Sequence, residues 1–467
     1  MKRLLIIFSL MIASIFPTLF YFSNNMGVMM YERIYWKLFL YSVAPLIIFP
    51  IVRFFVKKDI NSAFIILLSI LSYHFVTILN FSWYSTIFVW LSLSILLTTT
   101  VIKWKNDSIK QLSINFFCIL APILLIFNAI PILSFFADPN KMDERDTFVT
   151  TKNIDNNIYY IVLDAYDRED VVKDLGYNGK LVSFLEDKGF YVAKESNSNY
   201  PWTFMSMPSI MNMRYINSRL AGKNNSDYQY IAKNMINNSV ISRTLKGLGY
   251  KYIYNWEEPM IENKDADYLF TFDGYRNFGV SDNVRHAMNI LDQFKIFDDI
   301  LKIEGKKFVF ADICCPHPTY VFKSDGTIYD NEISNDVYSK EGYIEQLKFI
   351  ENKTIELIKN IQTNDPYAII ILQSDHGSCT SITDKTWNNT TDYNLKERMS
   401  TLNSFYFPDG DYSLLENNIT SVNTFRLLLT KYFGYAGGLL DNEIYWVSNS
   451  IPASFIDITE RVRKEVK

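Results

Sequence analysis

Four groups of residues have the types and spacing to do chemistry together. The run Ala368–Leu372 is apolar and leads directly into Gln373, Ser374, Asp375, His376 and Gly377. An Asp and a His side by side at the end of a buried strand offer one carboxylate oxygen and one imidazole nitrogen to a divalent cation. Asp164 closes a second such run, Ile158–Leu163. The plainer alternative makes Asp375 a helix N-cap and His376 a surface residue; the second strand-end acid favours the metal. The chain has 4 histidines in all, His74, His286, His317 and His376. His317 lies between Pro316 and Pro318, just past the apolar run Phe308–Ala311, and the flanking prolines fix its backbone. His286 falls in a polar, helix-like stretch and reads as a surface residue.

The fourth group is Ser198–Met207. Pro201 suits the first turn of a helix, which would put Thr203 in that turn as well. Unpaired backbone N–H groups and the helix dipole stabilise an alkoxide or a bound phosphate there. A metal at the Thr203 oxygen would lower the hydroxyl pKa further. The alternative is a threonine that caps the helix by accepting from backbone donors.

These groups need a scaffold. Ile158–Leu163 and Ala368–Leu372 are short, continuous apolar runs, the pattern of strands buried on both faces. Phe190–Ala193, Tyr252–Tyr254, Phe308–Ala311 and Ser404–Phe407 read the same way. Tyr343, Leu347, Ile350, Thr354, Leu357 and Ile361 recur every three or four residues, so that segment is predicted to be an amphipathic helix. Strands alternating with helices predict an α/β domain with a mostly parallel central sheet, and in such sheets ligands sit beyond the carboxyl ends of the strands. Asp164, His317, Asp375 and His376 all fall at that edge.

The first 137 residues are a different object. They carry ten Lys/Arg against three Asp/Glu, while the remaining 330 residues carry 36 against 47. The acidic rear argues against nucleic acid as a partner, since phosphate binding favours an excess of Lys/Arg. Asn61 to Ile102 has no charge over 42 residues and divides at Asn80–Ser82 into two lengths of about 20 residues, each enough to cross a bilayer. Leu4 to Phe22, Leu38 to Val52 and Ile114 to Phe136 complete five expected spans. The first is read as retained, because no small-residue cleavage site follows it. With the N-terminus cytoplasmic, eight Lys/Arg fall on the inner side and two on the outer, and everything after Ala137 lies outside the cytoplasm. The expected organisation is a transmembrane domain at 1–137, a linker at 138–157 and a catalytic domain at 158–467. The front either anchors the enzyme or also presents a lipid-linked substrate. Cys314, Cys315 and Cys379 in the outer part are odd in number and without framework spacing; they leave room for one disulfide.

Together the motifs resemble the alkaline phosphatase superfamily, in particular its membrane-anchored sulfatase-like branch of lipoteichoic acid synthases and phosphoethanolamine transferases. The matching segments occur in family order: Ile161–Tyr166, Ser198–Thr203, Cys315–Tyr320, Tyr343–Gln346, Gln373–Gly377, Glu397–Arg398 and Val422–Arg426. The resemblance implies an alkaline-phosphatase-like fold in which Asp164, Thr203, Asp375 and His376 hold a divalent metal ion (Mn²⁺ or Zn²⁺ foremost, with Mg²⁺ also compatible). It makes Thr203 the nucleophile and His317 a contact to the substrate's phosphoryl oxygens or leaving group. Asp312 departs from the pattern, since related sequences often carry His there. The sulfatase C/S-x-P-x-R signature is missing at Thr203–Met207, so a threonine alkoxide and phosphoryl transfer are expected in place of formylglycine chemistry.

The implied activity is a transferase in a cell envelope membrane. It moves a phosphoglycerol- or phosphoethanolamine-class group from a phospholipid donor to an envelope glycan or lipid acceptor. Hydrolysis of a phosphoric or sulfuric ester in an envelope polymer is the alternative, and an inactive membrane scaffold the third reading.

Overall fold

The structure is a computed structural model that describes residues 2–24, 31–78, 83–103, 106–137, 148–221, 225–256, 265–272, 281–329, 336–382, 389–447 and 454–464. The chain divides into two compact units, Met1–Lys141 and Met142–Lys467. The expected break at Asn80–Ser82 and residues 138–147 of the expected linker lie outside the described residues.

Among the described residues the first unit holds five helices: α1 (Lys2–Asn24), α2 (Tyr31–Val56), α3 (Asp59–Ile78), α4 (Trp83–Lys103) and α5 (Asp107–Ala137). Long uncharged runs of Leu, Ile and Phe favour helix here, and they leave large apolar side chains such as Phe54, Phe55, Leu112 and Phe127 exposed. Among the described residues one stretch, Phe39–Val56, is both long and apolar enough to cross a membrane; Ile6–Phe16, Asp59–Ile70 and Ser92–Lys103 are shorter apolar stretches. Lys110 is buried, and its ammonium donates to Asn61 Oδ1 at 2.8 Å and to the Val101 carbonyl at 3.0 Å.

The second unit is built on a seven-stranded sheet. In chain order its strands are β1 (Ile158–Leu163), β2 (Tyr191–Val192), β3 (Lys251–Trp256), β4 (Tyr268–Thr271), β5 (Lys307–Ile313), β6 (Ile369–Gln373) and β7 (Asn403–Tyr406). Their spatial order is β2-β7-β6-β1-β5-β3-β4. β1 is central and pairs in parallel with β5 and β6, and β3 pairs in parallel with β5 and β4. At one edge β7 pairs antiparallel with both β6 and β2. A separate hairpin joins β8 (Tyr445–Val447) to β9 (Phe455–Asp457).

The helices of this unit are α6 (Glu169–Asp174), α7 (Leu181–Asp187), α8 (Thr203–Asn212), α9 (Asn217–Leu220), α10 (Asn225–Asn237) and α11 (Val240–Gly247). They continue with α12 (Asp282–Lys295), α13 (Phe297–Ile300), α14 (Lys340–Asn364), α15 (Asp392–Met399), α16 (Thr424–Phe433) and α17 (Thr459–Lys464). Alternation along β1 explains the layers. Tyr159, Ile161 and Leu163 face one core with residues of α6, α7, α12 and α14. Ile158, Tyr160 and Val162 face a second core with α8, α11 and α16. Every residue of β1, β5 and β6 is buried, which is why Ile158–Leu163, Phe308–Ala311 and Ile369–Leu372 within them read as unbroken apolar runs. The predicted helix is α14, and its buried face carries the periodic residues Tyr343, Leu347, Ile350, Thr354, Leu357 and Ile361.

Candidate active site and metal centre

The parallel strands β1, β5 and β6 end at one edge, and the candidate groups gather there. Asp164 follows β1 directly, and its amide donates to the Ile313 carbonyl at the end of β5 (3.0 Å). The chain then turns sharply, because Ala165 takes φ +64°, a left-handed conformation that costs an alanine about 1–2 kcal/mol. The turn is held from several sides. Ala165 N–H donates to Asp375 Oδ1 (3.3 Å), Tyr166 N–H donates to Ser374 Oγ (2.8 Å), and Tyr343 Oη donates to the Ala165 carbonyl (3.0 Å). Tyr166 Oη donates in turn to the buried Glu351 carboxylate of α14 (2.7 Å).

Asp375 and His376 lie on the loop after β6, and residues 377–382, which follow them directly, are not helical, so the N-cap alternative does not hold. His376 N–H donates to Asp375 Oδ1 (2.9 Å), and Gly377 N–H donates to the Arg398 carbonyl (2.7 Å). The loop is gripped further by Glu397. Its carboxylate accepts from Ser378 Oγ, from the N–H and hydroxyl of Thr380, and from the N–H and hydroxyl of Ser381. Asp167 Oδ1 accepts from Ser378 N–H (2.7 Å).

Thr203 is the first residue of α8, with extended Trp202 as N-cap. Pro201 therefore precedes the cap instead of occupying the first turn. The side chain of the N-cap residue, Trp202, makes no cap hydrogen bond, which leaves Thr203 as the first hydroxyl at this end of the helix. Its Oγ1 stands 3.2 Å from His376 Nε2. Ser206, one turn further on, is buried with its hydroxyl donated to the Tyr200 carbonyl (2.8 Å), and so it is occupied inside the fold. Arg426 of the Val422–Arg426 motif fixes the far end of α8 by donating Nη1 to the Met213 carbonyl (2.8 Å).

The His376 ring sets the chemistry. Nδ1–H donates to the Gly377 carbonyl (3.0 Å), which leaves the Nε2 lone pair facing the centre. Asp164 Oδ1 lies 3.5 Å and Asp375 Oδ2 3.4 Å from Nε2. Both oxygens are buried and accept no hydrogen bond from any described residue; the same is true of Asp312 Oδ2 on β5 and of His317 Nδ1. His317 comes close as well: one ligand atom each from Asp164, His317 and His376 fit within 4.8 Å of one another, and the two imidazole rings are 6.1 Å apart. Gln346 holds the His317 loop by donating to the His317 carbonyl (2.9 Å) and accepting from Val321 N–H (2.7 Å).

Electrostatics describe a site that wants positive charge. Burial, and then the charge of Asp375, push the Asp164 and Asp312 carboxyls well above the usual carboxylate range. Burial and then Arg398 hold the His376 imidazole well below its ordinary value, and burial with His376 brings His317 down to about 3. Buried carboxyl oxygens that accept no hydrogen bond, set beside neutral imidazoles, are what a divalent cation would satisfy. The donor set fits such an ion: hard oxygens from Asp164, Asp375 and Thr203 with one borderline nitrogen from His376.

The structure thus gathers Asp164, Thr203, His317, Asp375 and His376 at one edge, with Asp312 buried beside them. His286 lies elsewhere, half-buried on α12. No disulfide joins Cys314, Cys315 and Cys379, so the one for which the sequence left room does not form among them. The supporting roles of Tyr343, Gln346, Glu351, Glu397 and Arg398 were not foreseen. Four of them stand in or beside the family-like segments, but nothing in their spacing says what they touch.

No protein-family model matches the sequence, and no curated protein matches it. Solved structures with a similar fold include the C-terminal periplasmic domain of EptC from Escherichia coli, at 14% identity and TM-score 0.48, covering 68% of this chain and 96% of that one. The soluble domain of lipooligosaccharide phosphoethanolamine transferase A from Neisseria meningitidis is similar at 14% identity and TM-score 0.42, over 61% and 89%. A putative sulfatase from Bacteroides fragilis is similar at 14% identity and TM-score 0.40, over 63% and 77%.

Proposed function

We propose that the chain is a metal-dependent phosphotransferase of the sulfatase-like type, acting at a membrane surface outside the cytoplasm. It moves a phosphoglycerol- or phosphoethanolamine-class group from a phospholipid to an envelope glycan or lipid. The observation that carries the reading is the convergence at His376 Nε2. A helix-start hydroxyl stands 3.2 Å away, beside two buried carboxylate oxygens that have no donor. Asp164, Thr203, Asp375 and His376 would hold the cation. When bound, the ion supplies the positive charge that makes the Thr203 hydroxyl acidic and draws electrons from the phosphoryl group.

The chain's own residues account for the rest. Thr203 Oγ attacks phosphorus in line, its bond to phosphorus forms as the phosphorus–oxygen bond to the diacylglycerol breaks, the hydroxyl proton passes to the departing diacylglycerol oxygen, and Thr203 is left carrying the head group as a phosphodiester. The acceptor hydroxyl then attacks the same phosphorus and frees Thr203. Met205 N–H is already bonded to the Trp202 carbonyl at 2.9 Å, so the amides of Thr203 and Phe204 are the ones at the start of α8 that would bind the phosphoryl oxygens. His317 contacts those oxygens or the leaving group. The division at Lys141 and the apolar exposed surface of the first unit support a membrane domain followed by a catalytic domain at 158–467. We read all five helices α1 to α5 as spans, with the N-terminus cytoplasmic.

The test is donor turnover. Full-length protein in phospholipid–detergent micelles, supplied with Mn²⁺ and no acceptor, should release diacylglycerol in a single burst equal to the enzyme present and resume only when acceptor is added. Steady headgroup release without acceptor would replace transfer by hydrolysis, and no release with any phospholipid would remove the donor assignment.

A further inference from the structure

Between α2, α3 and α4 lies a cavity of about 370 Å³, to which α1 adds Ser14. The helices around it are pinned at two levels. The Arg53 guanidinium bonds Asp59 where α2 ends and α3 begins, and further along the Tyr41 and Tyr73 hydroxyls meet at 3.4 Å. Between those levels the lining includes Ala44 and Ser69, whose short side chains leave the space unfilled. Its polar groups are turned back on the protein. Ser14 Oγ donates to the Leu10 carbonyl (2.9 Å), Thr98 Oγ1 to the Ser94 carbonyl (2.7 Å) and Trp90 Nε1 to the Ser69 carbonyl (3.0 Å), while Ser69 Oγ pairs with Ser94 Oγ at 3.0 Å. The walls therefore present mostly carbon, and water, which needs two to four polar partners, suits the space poorly.

Depth narrows the choice of occupant. Counted from the Arg53–Asp59 pair at ~1.5 Å per residue, the cavity extends to Tyr41, about 18 Å along α2, and from Ile65 at about 9 Å to Tyr73 at about 21 Å along α3. With that pair at one face of a hydrocarbon layer ~30 Å thick, the cavity lies inside the layer, where lipid chains reach and head groups do not. Ile48 lines the cavity and is 43% exposed, so the space opens sideways on the surface of the first unit. We infer that this cavity is a slot for one acyl chain of a membrane phospholipid, which enters past Ile48. The inference rests on the reading of α1 to α5 as spans. Helices in a bilayer gain little by hiding apolar surface from lipid, so packing decides, and an unfilled gap forfeits contacts on every wall. The two pinned levels oppose closure of α2 onto α3, whereas a narrow, flexible hydrocarbon chain fills the gap with both ties intact.

The test is photolabelling of the full chain in phosphatidylcholine vesicles that contain a phosphatidylcholine with a diazirine halfway along one acyl chain. After illumination and digestion, mass spectrometry maps the adducts in wild type, Ala44→Phe and Ile47→Phe. Ile65 and Ile66 line the slot and are only 7% and 4% exposed, so a chain lying on the outer surface does not reach them. The expected result is wild-type label at Ile65, Ile66 and Ser69. It should be lost in Ala44→Phe, where the ring fills the slot, and kept in Ile47→Phe, which adds similar bulk at an exposed position of α2. Label confined to exposed residues such as Ile47 and Phe54 overturns the inference, and the wild-type map decides this even if Ala44→Phe fails to fold. Slot label that persists in an Ala44→Phe protein with a wild-type melt overturns it too. No adduct anywhere on α1 to α5 removes the spans themselves, and this inference with them.

Discussion

Gly377→Ala should damage the centre without touching any proposed ligand. Gly377 follows His376, and a Cβ added to it would stand 2.1 Å from the Glu397 carbonyl oxygen, 2.7 Å from Asp167 Oδ1 and 3.1 Å from the Arg398 carbonyl oxygen. A relaxed carbon–oxygen contact is about 3.3 Å or more, so the loop or α15 must give by roughly 1 Å. Two of the three obstacles are backbone, and Gly377 N–H is itself bonded to the Arg398 carbonyl at 2.7 Å. A rotamer change therefore cannot relieve the clash. Overpacking of this kind costs about 1–3 kcal/mol, and the backbone obstacles put Gly377→Ala at the upper end. The shift is delivered to the neighbouring His376, whose Nε2 must keep its place among Asp164 Oδ1, Asp375 Oδ2 and Thr203 Oγ1. Loss of such support typically lowers metal affinity about 10–100-fold. Calorimetric Mn²⁺ titration of the full-length variant in detergent, with a thermal melt of the same sample, measures both effects. Wild-type Mn²⁺ affinity and an unshifted melt would show that the loop has slack, and that this packing does not set the position of His376.

Asp375→Ala and His376→Ala should each strip bound metal and activity while the protein stays in the membrane fraction, as read by metal analysis of the purified variants. His317→Ala should keep the metal and lose turnover; a drop in metal content would instead place His317 among the ligands, where its closeness to Asp164 and His376 would allow it to serve. Glu397→Ala leaves Ser378 Oγ and the donors of Thr380 and Ser381 without their carboxylate, at a cost of at least ~1–3 kcal/mol, visible as a lower melting midpoint. Reporter fusions after Val56 or Lys105 should report cytoplasm and fusions after Ala137 the outside; a cytoplasmic signal after Ala137 would remove the five-span topology and the envelope substrates together.

Much of the architecture was legible because burial on both faces leaves an unbroken apolar run. That is how β1, β5 and β6 could be read, and Asp164 and Asp375 beyond β1 and β6 followed, with His317 beyond β5. The 3.6-residue period did the same for α14. The strands that escaped notice are short or marginal. β4 has four residues with Tyr268 and Leu269 exposed, and β8 and β9 have three each, too few for a period to show. The start of α8 was read two residues early, because Pro201 is compatible with a first turn but here precedes the cap. The supports of the site could not be read at all. Tyr343 reaches Ala165 across 178 residues, and Glu351 reaches Tyr166 across 185. Such pairs exist only once the sheet order has brought the carboxyl ends of β1, β5 and β6 together. Arg398 is the plainest case: it donates to the Pro201 and Gly377 carbonyls, which come from two separate motifs, and nothing in either motif asks for a guanidinium.

The central claim is that phosphoryl groups pass through Thr203. Wild-type protein incubated with Mn²⁺ and donor phospholipid in the absence of acceptor, then quenched, digested and sequenced by mass spectrometry, should carry the donor's phospho-group on the peptide containing Thr203, with the fragment ions placing it on that residue. The adduct should vanish on addition of acceptor and be missing from Thr203→Ala, which should still bind metal through Asp164, Asp375 and His376. An adduct mapped to Ser206, or a Thr203→Ala protein that turns over donor at a near-normal rate, would contradict the account.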